Sequence, residues 1–487
     1  MSLLEEARYA ELEFITRRHF LRTCASGMGS MALASLFGCG GGVDGGAIVS
    51  SGGLQPHFPP RVKHVIFLHM AGAPSQLELF DYKPELIKLH NQPCPESLLE
   101  GKRFAFIEGV PNMLGPQAEF APRGESGLTV SNLLPNFHRV VDRVTLLKAM
   151  YTDEFNHAPA QLLMHTGGPR PGRPSIGAWA TWGLGSENEN LPGYIVLLSG
   201  GKQPDAGRSV FGSGFLPTVY QGVQCRTGPE PVLYVGDPDG TTRDIRRRAV
   251  DAINEINRRQ YEEIGDPETL TRIAQFEMAF RMQVSVPDVM DISDEPEWVH
   301  EMYGSVPGQS SFANNCLLAR RLVEKGVRFV QLFDWGWDAH GAAESEALNA
   351  GFLRKCKEID KPVAALLEDL DQRGLLDETL VVWGGEFGRT PMQENRGGKT
   401  NPFLGRDHHS EAFTMWVAGG GIKRGFSYGE TDEIGYSGVS GRVHVHDLQA
   451  TILHQLGFDH ERLTYRFQGR PMRLTDVGGR VVREILA

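Results

Sequence analysis

Histidines and carboxylates gather in this chain where short polar loops follow strongly apolar runs. In Trp337-Asp338-Ala339-His340-Gly341 an acid and an imidazole stand one residue apart, so both can turn toward one cation. That donor pair suits zinc, manganese or iron, while carboxylates alone suit calcium. The other reading is a loop aspartate capping a helix beside a solvated histidine. In Gly384-Gly385-Glu386-Phe387-Gly388-Arg389-Thr390 the flanking glycines let the backbone bend and aim Glu386 into a crevice. Arg389 there offers a fork of donors to an oxyanion, or simply pairs with Glu386. Gly405-Arg406-Asp407-His408-His409 places three candidate ligands in a row, of which one or two can face a single point. His157, in Asn156-His157-Ala158-Pro159, opens an apolar helical run that ends at Thr166-Gly167. His444-Val445-His446-Asp447 precedes another helix, where Asp447 fits a cap or first-turn acid. For His444 and His446, ligation and a structural role stay open. No Gly-x-Ser-x-Gly elbow and no P-loop lysine occurs, so neither a serine-triad hydrolase nor a nucleotide-phosphate binder is indicated.

The loops follow short β-branched runs: Val65-Ile66-Phe67-Leu68, Val327 to Leu332, and Leu380-Val381-Val382-Trp383. Helical spacing of apolar residues appears over Thr269 to Val284, Ser311 to Lys325, Ile359 to Arg373 with a stop at Gly374, and Leu448 to Leu456. Alternation of this kind predicts an α/β domain with a largely parallel sheet. Ligands of such sheets bind at the carboxyl ends of the strands, which makes the loops at Ala71 to Ser75, Asp334 to Gly341 and Gly384 to Thr390 the expected site. The stretch from Gly101 to Gly240, dense in Gly and Pro, reads as long loops and insertions over the sheet. No internal repeat is present.

Thr16-Arg17-Arg18-His19-Phe20-Leu21-Arg22 followed by a small-residue apolar stretch to Gly38 has the order of a twin-arginine export signal. That stretch is short and glycine-rich for a membrane span, which takes about 20 apolar residues. Leu36-Phe37-Gly38-Cys39 resembles a lipoprotein cleavage box, with Phe37 bulkier than usual. The expected organisation is a signal over 1–39, a Gly-rich tether over 40–60, and one domain over 61–487, placing the protein in the periplasm or at the extracellular face. A net charge of −11 argues against nucleic acid as a partner. Cys94, Cys225, Cys316 and Cys356 match no zinc motif and allow three disulfide pairings that the sequence does not choose among.

Several stretches together resemble an exported, sulfatase-like family within the alkaline-phosphatase superfamily: Asn156 to Gln161, Gly214-Phe215-Leu216-Pro217, Ala319-Arg320-Arg321-Leu322, Gly385 to Thr390, and Gly405 to His409. The resemblance spans nearly the whole chain and implies a three-layer αβα sandwich, alkaline-phosphatase-like, with long loop insertions. It also implies a divalent metal, zinc, manganese or calcium, with Asp338, His340, Glu386, Asp407, His408 and His409 as candidate ligands. His157 and Arg389 are the candidate catalytic residues. Glu386 stands where sulfatases carry a metal-binding aspartate, and Phe387 where they carry a second ligand. Position 157 is His where the modified nucleophile is expected, which argues against a formylglycine mechanism. His69 follows the first strand where the superfamily usually has Asp, so it either ligates or only lines the sheet end. The function implied is an exported metal-dependent hydrolase of sulfate or phosphate esters, acting through metal-activated water on a small molecule or polysaccharide. The alternative is a degenerate relative that binds glycans or a surface partner without turnover. Membrane contact is expected only through the signal or a lipid anchor.

Overall fold

The computed structural model describes residues 53–226, 231–232, 241–396 and 399–487. The expected signal and lipoprotein-like box, and the expected tether up to residue 52, lie outside the described residues. Gly53 packs against the backbone of Gly183–Gly185, and His57 and Phe58 donate to the carbonyl of Gly457, so the chain is docked ahead of residue 61.

Nine strands form the main sheet: β1 (His64–Ala71), β2 (Val144–Tyr151), β3 (Tyr194–Ser199), β4 (Val223–Cys225), β5 (Phe329–Trp335), β6 (Thr379–Gly384), β7 (Phe413–Gly419), β8 (Phe426–Tyr428) and β9 (Val443–His444). Their order is β8-β2-β7-β6-β1-β5-β3-β4, with β9 also on β2. Every pairing is parallel except those of β7, which runs antiparallel to β2 and β6. The largely parallel sheet expected from the sequence is therefore present, with one reversed strand inside it.

Seven helices matter here: α1 (His157–Thr166), α2 (Ile176–Leu184), α3 (Arg243–Ile264), α4 (Pro267–Met290), α5 (Phe312–Glu324), α6 (Gly351–Gln372) and α7 (Val445–Gln455). β1 is buried along its whole length, and its alternate residues enter different cores. Ile66, Leu68 and Met70 pack with Leu318 and Leu322 of α5 and Leu366 and Leu370 of α6. Val65 and Phe67 pack with Leu162 and Leu163 of α1, Trp179 of α2 and Ile452 of α7. Two apolar faces on one sheet require helices on both sides, which gives the three-layer αβα arrangement.

Expectations for individual elements fare unevenly. The three β-branched runs are strands, each longer than or shifted from its sequence bounds. α5 starts where Ser311 accepts from Asn314 N, and α6 gives way to Gly374 at φ 71°. The reading of 101–240 as loops is corrected: it contributes β2, β3, β4, α1 and α2. Of the two roles expected for Asp447 at α7, it takes that of first-turn acid: His444 is the cap, and Asp447 closes the box by accepting from His444 N at 2.9 Å. All four cysteines of the described residues are buried and free, so no disulfide forms among them.

The Ala319-Arg320-Arg321-Leu322 stretch has a structural explanation. Arg320 is buried and pairs with Glu295 at 2.8 Å, Asp369 of α6 at 2.9 Å and Glu324 at 2.9 Å, while Tyr303 donates to Asp369. Removing the cation would break the link between two buried carboxylates and leave Asp369 with Arg373 alone and Glu295 with Arg321 alone as ion partners. Arg320→Met is expected to cost about 3–5 kcal/mol of stability in urea unfolding, and an unchanged midpoint would contradict this account.

Candidate metal centre

Three strand ends and one helix start meet at the carboxyl edge of the sheet. β1 ends in Gly72, whose φ of 104° and close approach to Asp338 N, 2.6 Å from where a Cβ would stand, exclude any side chain. β5 runs on through Gly336 and Trp337 to Asp338 and His340. After β6, Gly385 lies against Ala73, and Glu386 follows, fully buried. His408 and His409 form a two-residue antiparallel ladder with Arg389 and Gly388. His157 begins α1.

The side chains converge on one atom. Asp338 Oδ1 lies 3.2 Å from His157 Nε2, 2.8 Å from His340 Nε2 and 3.3 Å from His408 Nε2. The four donor atoms all lie within 4.8 Å of one another. The three histidines are buried, and the Asp338 side chain is 27% exposed, so the cluster opens on the aspartate side.

The far nitrogen of each imidazole is held. His157 Nδ1 donates to Glu386 Oε1 at 2.7 Å, His340 Nδ1 to Glu394, and His408 Nδ1 to the carbonyl of Phe155 at 2.8 Å. An imidazole whose Nδ1 carries the proton presents a lone pair at Nε2. Three lone pairs and a carboxylate oxygen therefore face one point, an arrangement that repels itself unless a cation or protons intervene. His157 Nε2 is also buried without a hydrogen bond of good geometry. Buttressed histidines of this kind are the usual surroundings of a metal, in which a carboxylate or carbonyl fixes ring and tautomer. The residues present fit a divalent cation.

Without a cation, protons take up part of the charge. Burial opposes protonation of His157, but Asp338 and Glu386 outweigh it and raise its pKa to about 9. Burial likewise disfavours charged His340, yet Asp338 and Glu394 raise it. His408 goes the other way: burial first, then Arg389 and His157, lower it to about 3. Burial would raise Asp338, but Arg389 and the imidazoles hold it well below the usual carboxylate range.

The expected site residues separate into two groups. Asp338, His340 and His408 come together as expected ligands, and His157, expected as catalytic, joins them. Glu386 does not face the centre. Its Oε1 receives His157 Nδ1, Gly72 N and Gln161 Nε2, so it stands behind His157. Asp407 accepts from the backbone N–H groups of Phe106, Ile107 and His408, tying the 106–107 loop down over the site. His409 turns away to the carbonyl of Tyr436. Arg389 is fully buried and donates to the carbonyls of Ala73, Gly72 and Arg406 and to Asp338, which makes it a clamp on three loops. His444 meets Asp153 and His446 meets the carbonyl of Gly167, both away from the cluster. His69 touches Glu386 Oε2 at 3.3 Å. Sequence reasoning missed Glu394, a lone acid in a polar loop with no pattern around it, and Gln161, whose only signal was its place one helical turn beyond His157.

Residues 62–486 match the family model described as "Protein of unknown function (DUF1501)", and the chain belongs to that family. No curated protein matches the sequence. Among solved structures it is similar to the alkaline phosphatase of the Antarctic bacterium TAB5, at 10% identity and TM-score 0.31 over 82% of this chain and 97% of that one. It is also similar to the lipoteichoic acid synthase LtaP of Listeria monocytogenes, at 9% and 0.36 over 87% and 78%. A third likeness is the phosphonate monoester hydrolase SpPMH of Silicibacter pomeroyi, at 13% and 0.33 over 86% and 77%. Likenesses this distant carry no residue roles to this chain.

The raised pKa of His157 has a consequence for cation-free protein. A histidine whose folded pKa of about 9 exceeds its unfolded 6.5 adds stability that is complete below pH 6.5 and lost as pH rises through 9. Urea midpoints measured in chelator are expected to fall between pH 6.5 and 9, by a few kcal/mol at most. The slope should flatten in Glu386→Gln, and equal slopes in both proteins would refute this.

Proposed function

We propose that this DUF1501 protein is a cation-dependent hydrolase of sulfate or phosphate esters, exported by the twin-arginine route and acting in the periplasm or at the extracellular face. The observation that supports it is the convergence of three buttressed imidazoles on Asp338 Oδ1. His157, His340, His408 and Asp338 would hold the cation. Three nitrogen donors and one oxygen favour zinc, manganese or iron over calcium, which takes oxygen ligands. A divalent cation in such a site supplies Lewis acidity, acidifying water and neutralising charge on an ester oxygen.

The chain's own residues do the remaining work. Glu386, Glu394 and the Phe155 carbonyl hold the imidazoles in one tautomer, so little reorganisation accompanies ligand exchange. The Phe106 ring, edge-on to His340 at 5.2 Å and His408 at 5.5 Å, shields that side from water. On the other side Trp335 stands 6.0 Å from His157, with Lys202 Nζ 5.0 Å from the Trp335 ring. An exposed ammonium beside an aromatic face suits an anionic ester on a sugar.

Binding without turnover is the second reading, and Arg389 favours it. The arginine expected to meet an oxyanion is spent on three carbonyls and Asp338 and does not face the opening.

Elemental analysis of purified mature protein, paired with a screen of sulfate and phosphate esters, tests the proposal. One divalent cation per chain is expected, along with turnover that falls at least a hundredfold in Asp338→Asn and His408→Ala as the cation is lost. Protein free of stoichiometric metal would sink the hydrolase reading, and bound metal with no turnover on any ester would leave the binding reading standing instead.

A further inference from the structure

Behind Glu386 a line of buried polar groups crosses the α1-side core. Tyr194 of β3 donates its hydroxyl proton to Gln331 Oε1 on β5. Gln331 Nε2 lies 2.9 Å from His165 Nδ1 in the last turn of α1, and His165 Nε2 lies 3.2 Å from His69 Nδ1 on β1. His69 Nε2 then faces Glu386 Oε2 at 3.3 Å, an ion-pair distance at which neither atom makes a hydrogen bond of good geometry. His69, His165, Gln331 and Glu386 are wholly buried, and Phe67 and Phe333 pack edge-on against His165 at 5.0 and 5.2 Å. Polar groups inside an apolar layer are costly unless each is paired, so four in series need a reason.

The direction of the bonds follows from the end of the line. Glu386 already accepts at Oε1 from Gly72 N, Gln161 Nε2 and His157 Nδ1, so it meets His69 as an acceptor and His69 carries its proton on Nε2. Its Nδ1 is then an acceptor, which requires the proton of His165 on Nε2. His165 Nδ1 in turn accepts from the amide of Gln331, whose oxygen accepts from Tyr194. Burial holds His165 well below its usual pKa, in keeping with a neutral ring that donates on one side and accepts on the other. The opposite orientation would set a lone pair of His69 against Glu386.

We infer that Tyr194, Gln331, His165 and His69 form a one-way polar wire that ends on Glu386 and aims it, and so presents a carboxylate oxygen to His157 Nδ1, favouring the tautomer whose Nε2 can ligate. These four are positioning residues. The ligation part of the inference rests on the cation-dependent reading above, and the tautomer part does not. Glu386 is buried with no lysine or arginine against it; Gly72 N, Gln161 Nε2 and His157 Nδ1 donate to its Oε1, and His69 faces its Oε2. Losing one donor from a site closed to water is not made good by solvent.

His165→Phe breaks the wire in the middle, and Gln331→Glu replaces its amide donor with a carboxylate that can only accept from His165. Zinc affinity by chelator competition is expected to drop about 10- to 100-fold in both variants, as for other groups that buttress a metal-binding histidine. Tyr194→Phe, at the far end, should change it only a few-fold. Imidazole nitrogen shifts in histidine-labelled, zinc-free protein supply an independent reading. His69 should be Nε2-protonated in the parent chain and change tautomer in Gln331→Glu. Folded variants that keep both the parent zinc affinity and the parent tautomers would overturn the inference. If the parent chain binds no zinc, the hydrolase reading falls, and the wire stands or falls on the tautomers alone.

Discussion

Much of this structure depends on one carboxylate oxygen, Asp338 Oδ1, held in a largely buried site with three imidazole nitrogens and one guanidinium around it. Asp338, Glu386 and Glu394 bring three carboxylates to the site against two arginines, the fully buried Arg389 on Asp338 and the exposed Arg396 on Glu394. In a medium of low polarity that excess of negative charge is not tolerated unaided. Protons on His157 and His340, or a divalent cation among the Nε2 atoms, restore the balance. The two solutions exclude each other, because a protonated Nε2 has no lone pair to give.

That requirement explains the effort spent on loops. Asp338 and His340 follow β5, His157 starts α1, and His408 lies on a short ladder more than sixty residues beyond Asp338. Holding their donors within hydrogen-bonding reach of one point takes rigid connections. Arg389 binds the loops after β1 and β6 through carbonyls and the loop after β5 through the Asp338 carboxylate. Arg406, also fully buried, pairs with Glu78 at 2.9 Å and donates to the carbonyls of Thr390 and Gly115. Arg389 looks catalytic in the sequence because it sits in a polar, glycine-flanked run, while Arg406 stands beside the candidate ligands without a role of its own. Their burial shows that they keep the loops in register, with the geometry of a guanidinium suited to joining several carbonyls at once.

The parts of the fold set by local chemistry could be read from the sequence. β-branched runs gave the central strands, three-and-four spacing gave α5 and α6, and loops after strands gave the neighbourhood of the site. β2 was obscured because its eight residues lie in a stretch dense with Gly and Pro, and α3 because its charged residues dominate its pattern. The same division holds at the site. Asp338, His340 and His408 stood out as donors close in sequence on polar loops. The relation between His157 and Glu386 did not, since which one faces the centre depends on contacts between α1 and the loop after β6, more than two hundred residues apart.

The sheet itself makes an asymmetry that bears on how such a centre works. Behind the cluster on the α1 side, His69, His165 and Gln331 are embedded among Phe67, Phe333 and Tyr194, and no exposed residue interrupts the series. In front, the Asp338 side chain is partly open, and Phe106 covers the rest from a loop tied down by Asp407. The open side of the centre is the front, whereas the orientation of His157 is set from behind through the buried Glu386. Exchange at the open face can then proceed without disturbing the tautomers, because the groups that fix them are not the groups that a ligand displaces.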